Sequence, residues 1–179
     1  LLLAFGEYFP GAQWFPVLKL WFPEVGDYGR GPGPTVLNLN NLRFGAQICY
    51  EGLFDWFTRR LANQGAQLIV NVTNDGWYDK IEQPRQHGWM TLARAVEVRL
   101  PLVRSTNTGI SMAILSDGTI LERSPLHQEW FHLYDIPYAE NPKPTLFMSW
   151  GYWVIPIFLM VGILILFGRE LWLARTRPS

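Results

Sequence analysis

The apolar positions of this chain change their spacing twice, and each regime predicts a different structure. Val36-Leu37-Asn38-Leu39, then Asn40-Asn41, then Leu42-Arg43-Phe44 reads as a hairpin, since asparagine tolerates the positive φ of a tight turn. The second strand continues through Ala46 and Ile48 to Cys49. A helix is predicted at about Leu53–Asn63, with Phe54, Phe57 and Leu61 on one stripe and Gly65 as its stop. Leu68–Val72 reads as a buried strand that turns polar at Thr73-Asn74-Asp75. Pro84–Arg99 reads as a second helix, halted by Pro101. Leu102–Ser105, Ile110–Leu115, Ile120–Arg123 and Trp130–Ile136 all read as strands, with a turn at Ser116-Asp117-Gly118-Thr119.

Strands that alternate with helices and then give way to a hairpin predict an α/β sheet with parallel strands joined by right-handed crossovers. Ligands gather beyond the carboxyl ends of such strands. Cys49, Asn74-Asp75 and Thr106-Asn107 all fall there. Before this region, Leu1–Pro34 is rich in glycine, proline and aromatic residues, and predicts an ordered surface dominated by loops.

The third regime runs from Pro144 to Gly168 without a charged residue. A hydrocarbon core of about 30 Å needs roughly 20 apolar residues as a helix, so this run is long enough to span. Trp150, Tyr152 and Trp153 cluster at its first end as an interfacial belt would, and Arg169, Arg175 and Arg177 follow its second end. That bias predicts a cytoplasmic C-terminal tail at 169–179 and puts residues 1–143 on the other side. Pro156 is tolerable in such a helix and is a candidate kink.

Composition narrows the function. Lys plus Arg and Asp plus Glu are both 15, a net charge of zero, which argues against a nucleic-acid surface. Cys49 is the only cysteine, so no internal disulfide is possible, and no CxxC or Cys/His spacing suggests a metal. No cofactor is implied. The chain has no initiator Met or signal peptide and opens in mid-pattern at Leu1-Leu2-Leu3, as a fragment of something longer would.

A lone cysteine in an apolar strand is more often inert packing. Cys49 has a special position, because it ends a strand and a helix begins soon after. Helical N–H groups at such a turn activate a thiol and can bind an oxyanion. His87, His127, His132, Glu51 and Glu7 are candidate bases, though none is tied to Cys49 by a local motif.

"FGEYFP" (5–10), "ICYE" (48–51), "NVTNDGWY" (71–78), "QH" (86–87) and "RAVEVRLPLVRSTNTGIS" (94–111) occur in that order before the apolar run. Together they closely resemble the C-terminal part of the apolipoprotein N-acyltransferase family, bacterial inner-membrane enzymes with a nitrilase-like domain. The resemblance implies a four-layer αββα sandwich, here partial, facing the periplasm. Residues 1–143 would be the C-terminal part of that carbon–nitrogen hydrolase domain and 144–168 the transmembrane helix. The implied triad is Glu-Lys-Cys, with Cys49 as nucleophile, Glu7 and Glu51 as supporting acids, Tyr50 beside the nucleophile, and Trp77 and Asn74 near the substrate. The implied partners are a phospholipid acyl donor, an apolipoprotein acceptor and the membrane. The family's Lys lies just upstream of the stretch matching "LLLAFGEYFP" and its general-base Glu further upstream; Lys19 lies downstream and does not match. Residues 1–179 alone are therefore expected to be inactive. A nitrilase-type amidase acting on a small amide and a non-catalytic membrane-anchored module are the alternatives.

Overall fold

A computed structural model of the chain describes residues 1–2, 4–78 and 82–176. They form two units, Leu1–Thr35 and Val36–Ser179. The first is loop-dominated, as expected, with one short helix, α1 (Val17–Trp21), and an isolated bridge between Ala4 and Tyr8.

The second unit is an α/β layer. Its strands are β1 (Val36–Leu39), β2 (Leu42–Ile48), β3 (Leu68–Thr73), β4 (Leu102–Thr106), β5 (Met112–Ile114) and β6 (Ile120–Arg123), in the sheet order β1-β2-β3-β4-β5-β6. β2, β3 and β4 are parallel, and the remaining pairs are antiparallel. The hairpin turns at Asn40 and Asn41, with φ of 46° and 70°, the two positive values a tight two-residue turn requires. The parallel connections carry α2 (Asp55–Asn63) and α3 (Glu82–Val98).

Both helices lie on one face of the sheet. Phe57 and Leu61 of α2 and Ala95 and Val98 of α3 close over Ile69, Leu102 and Ile114. Gly45 makes this approach possible, because a Cβ there would sit 2.9 Å from Leu61. The described residues thus form one helical layer on one sheet, half of the four-layer arrangement that the resemblance implies. Phe54 precedes α2 and is 39% exposed, outside the predicted stripe.

Two expectations about strands need correction. Leu68–Val72 is not buried on both faces: Ile69 and Asn71 are buried, whereas Val72 is 48% exposed. Trp130–Ile136 belongs to no strand. Its alternation has another cause: Trp130 stacks on His132, Tyr134 packs against both at a tilt, and the Tyr134 hydroxyl donates to the Glu122 carbonyl at 2.7 Å. Phe131 and Leu133 point outward, about nine-tenths exposed.

The C-terminal apolar run also differs in detail. α4 (Leu146–Trp150) packs Met148 into the core, and its N-cap Thr145 donates to the Glu97 carbonyl at 2.7 Å. The chain then breaks at Gly151, with φ 56°, and passes one 3-10 turn (Gly151–Trp153) into α5 (Val154–Thr176). Pro156 lies in the first turn of α5, where its missing N–H costs nothing, so the bend comes from Gly151 and not from Pro156. Leu146–Glu170 is long and apolar enough to cross a membrane, and only 6% of its most apolar window is buried. That exposure is the opposite of a soluble core helix. Arg177 lies outside the described residues.

Candidate active site

β2 must turn toward α2 as soon as it ends at Ile48. Cys49 makes that turn with φ +51°, the left-handed region that a residue with a Cβ seldom occupies. It opens a single 3-10 turn, Cys49–Leu53, and is half-buried and free of any disulfide. Glu51 closes the turn. Its carboxylate accepts from the Ile48 N–H at 2.8 Å and its carbonyl from the Phe54 N–H at 3.2 Å. Glu51 is 7% exposed, so it sits beneath the turn. Tyr50 is half-buried and meets the Phe54 ring edge-on at 5.7 Å.

The sheet directly under this turn carries a polar row. In register across three neighbouring strands stand Gln47, Asn71 and Arg104, exposed by 0%, 0% and 1%. Two residues earlier the same face carries Gly45, Ile69 and Leu102, the floor of the core. A buried polar side chain is costly unless paired, and each of these makes at least one hydrogen bond, with Gln47 Oε1 and Arg104 Nε left without a partner among the described residues. Gln47 Nε2 donates to Thr58 Oγ1 at 2.7 Å. Arg104 Nη1 donates to Asn71 Oδ1 at 2.6 Å, and its Nη2 donates to Asp75 Oδ2 at 2.8 Å. The other Asp75 oxygen accepts from His87 Nδ1 at 2.9 Å. Asn71 Nδ2 then donates to the Cys49 carbonyl at 3.1 Å.

Electrostatics follow from this packing. Burial pushes the Asp75 carboxyl up, but the His87 hydrogen bond and the Arg104 charge more than offset it and hold the carboxyl below its ordinary range. Tyr78, edge-on to His87 at 6.1 Å, is raised by burial and then by the charges of Cys49 and Asp75, so its phenol stays protonated.

The three strand ends expected to converge do so. Asn107 Oδ1 accepts from the Asp75 N–H at 3.0 Å, and Asn107 Nδ2 donates to Asn74 Oδ1 at 2.6 Å. Asn74 is thus committed to a loop tie, while Trp77 beside it is 79% exposed. Glu7 lies in the first unit, half-buried, with its carbonyl accepting from the Tyr28 N–H. Lys19 there pairs with Asp27 at 2.6 Å. Of the candidate histidines only His87 joins the Cys49 network; His132 faces Glu122 at 3.8 Å. Among the described residues no group of His, Cys, Asp or Glu could hold a metal ion. A cavity of about 800 Å³ between α3 and β5–β6 is lined by Trp89, Met112 and Ile120, and Cys49 is not part of it.

Sequence reasoning missed Asn71, Arg104 and the pairing of Asp75 with His87. A signal was available. Arg104 shares the inward parity of Leu102, and a charge at such a position demands a buried partner.

The carbon-nitrogen hydrolase family model matches residues 10–139. The apolipoprotein N-acyltransferase of Bdellovibrio bacteriovorus is 51% identical over 99% of this chain and 33% of its own length. That of Geobacter metallireducens is 41% identical over 72% of this chain and 25% of its own. The chain thus spans a quarter to a third of these relatives. A solved amidase from Nesterenkonia sp. AN1 superposes with a TM-score of 0.48 at 24% identity, covering 59% of this chain and 43% of its own. The chain belongs to the carbon-nitrogen hydrolase family, and the members it resembles in sequence are apolipoprotein N-acyltransferases.

Proposed function

We propose that this chain carries the nucleophile of an N-acyltransferase that moves a fatty acyl group from a phospholipid to the N-terminal diacylglyceryl-cysteine of an apolipoprotein. The observation that carries the reading is Cys49, held left-handed at the carboxyl end of a parallel strand, above a buried ion-paired layer. The Cys49 thiolate attacks the ester carbonyl; the ester C–O bond breaks and lysophospholipid leaves with a proton. The acceptor's neutral amine then attacks the thioester, loses a proton and releases the thiolate. A sulfur serves both halves because it is a good nucleophile and a good leaving group. Glu51 holds the turn that presents the sulfur, and Tyr50, Asn74 and Trp77 frame the approach of substrate.

A lipid substrate is supported by the apolar surface. Trp14, Phe15, Leu20 and Trp21 of the first unit are each more than 60% exposed, as side chains that enter a headgroup layer would be. Trp150, Tyr152 and Trp153 are each at least half exposed before α5, which suits an interfacial belt. With Arg169 after the apolar run, the orientation proposed is an inner-membrane helix with the domain periplasmic and the C-terminus cytoplasmic.

The test is Cys49→Ala in the full gene product, assayed for acyl transfer to a diacylglyceryl peptide. Transfer should fall to background. Transfer at the parent rate would overturn the nucleophile. Hydrolysis of small amides without any transfer, in the parent protein, would replace the acyltransferase by an amidase.

A further inference from the structure

The buried layer beneath Cys49 is wired in one direction. Arg104 can only donate, and its planar fork is fixed on one side by Asp75 Oδ2. The second arm donates to the oxygen of the Asn71 carboxamide at 2.6 Å and, more weakly, to Thr91 Oγ1 at 3.3 Å. The first contact settles which way the amide faces, since the flipped amide would set its NH2 against the guanidinium. The NH2 is left pointing at the Cys49 carbonyl, 3.1 Å away. Gly52, in the same turn, makes room for it: a Cβ there would sit 3.1 Å from Asn71 Nδ2. Cys49 itself has a backbone conformation that persists only where the surroundings over-determine it.

We propose that Asn71 and Arg104 are positioning residues for Cys49: the guanidinium orients the carboxamide, and the carboxamide clamps the Cys49 carbonyl so that the left-handed turn, and with it the sulfur, stays where attack occurs. Asp75, bonded through both oxygens to Arg104 and His87, anchors the guanidinium. The inference rests on the reading of Cys49 as the nucleophile, and it explains why a buried ion pair lies one hydrogen-bonded residue away from the Cys49 carbonyl.

Two variants separate the clamp from folding. Asn71→Asp keeps an acceptor for Arg104 but removes the N–H that reaches Cys49. Gly52→Ala leaves every charge intact and presses a methyl against the carboxamide. Each is read in the full gene product by three measurements: the unfolding temperature, kcat and KM for acyl transfer, and the alkylation rate of Cys49 by iodoacetamide on the tryptic peptide Phe44–Arg59. For Asn71→Asp we expect kcat to fall about 10²-fold, the scale of a misplaced reacting group, with KM within about twofold of the parent and slower alkylation. Gly52→Ala should move the same quantities in the same direction by roughly tenfold. A folded Asn71→Asp protein with parent kcat and alkylation rate overturns the clamp. Slowing in Asn71→Asp with none in Gly52→Ala overturns it too, because added charge alone would then be the cause. If Asn71→Asp does not fold, Gly52→Ala decides by the same criterion. Alkylation needs no turnover, so the clamp is judged even if Cys49→Ala keeps its activity and the nucleophile reading falls.

Discussion

Replacing Asp75 by asparagine tests whether the layer under Cys49 is an ion pair or a set of interchangeable hydrogen bonds. The substitution preserves shape and removes one charge. Asp75 and Arg104 are both 0% exposed in their side chains and meet at 2.8 Å. At an effective dielectric constant of about 20 their attraction is on the order of 6 kcal/mol, while burying the two ions costs several kcal/mol each. The intact pair is therefore close to neutral in net stability. Asp75→Asn leaves the guanidinium buried without a counter-charge, which costs about 3–5 kcal/mol. For a chain of this size that lowers the unfolding temperature by roughly 6–20 °C. Adding Arg104→Met removes the stranded charge, so the double variant should regain at least half of the loss even though Asn71 then loses a donor. The assay is thermal unfolding in detergent, followed by the emission of the nine tryptophans. A fall of under about 3 °C for Asp75→Asn, or a double variant as unstable as the two single effects added together, would refute the reasoning.

Acid should unfold the protein in part through the same carboxyl. Asp75 is depressed below its ordinary value of 3.8 in the folded state, so its contribution is complete above that value and is lost as pH falls through the lower folded one. Asp75→Asn should flatten the acid limb of a stability-against-pH curve below about pH 4, and an unchanged limb would contradict this. Glu97 is raised by burial despite Arg94, so it acts in the opposite sense and in a separate window, above 4.5. Membrane orientation is tested by a reporter active only in the periplasm, fused after Ser179: silence is expected, and a signal would reverse the proposed topology.

Much of the frame is legible in the sequence because it rests on local rules. The two adjacent asparagines announce the hairpin, Pro101 bounds α3, and the polar ends of β2, β3 and β4 announce where chemistry gathers. What escaped depends on contacts distant in sequence. Trp130–Ile136 alternates like a strand, yet its aromatic rings pack against one another and no ladder forms. The break in the apolar run falls at Gly151, where an added Cβ would overlap the Arg59 guanidinium, a side chain nearly a hundred residues earlier. The pairing of His87 with Asp75 and of Arg104 with Asn71 is closed by the crossover from β3 through α3 to β4. Only the inward parity of Arg104 hinted that a charge was buried there. The role of Glu51 has the same origin: the Ile48–Glu51 spacing allows the carboxylate to fold back onto the turn, but the sequence alone does not separate that from an acid facing substrate.

The central claim is that an acyl group passes through the Cys49 sulfur. The direct measurement is mass spectrometry of the peptide Phe44–Arg59 after the full gene product, in membranes, is given a phospholipid of defined acyl chain and no acceptor. This peptide should gain the mass of one such chain, neutral hydroxylamine should remove it, and a diacylglyceryl peptide should discharge it. An unmodified Cys49 peptide in a preparation that goes on to transfer the same acyl chain to that acceptor would contradict it.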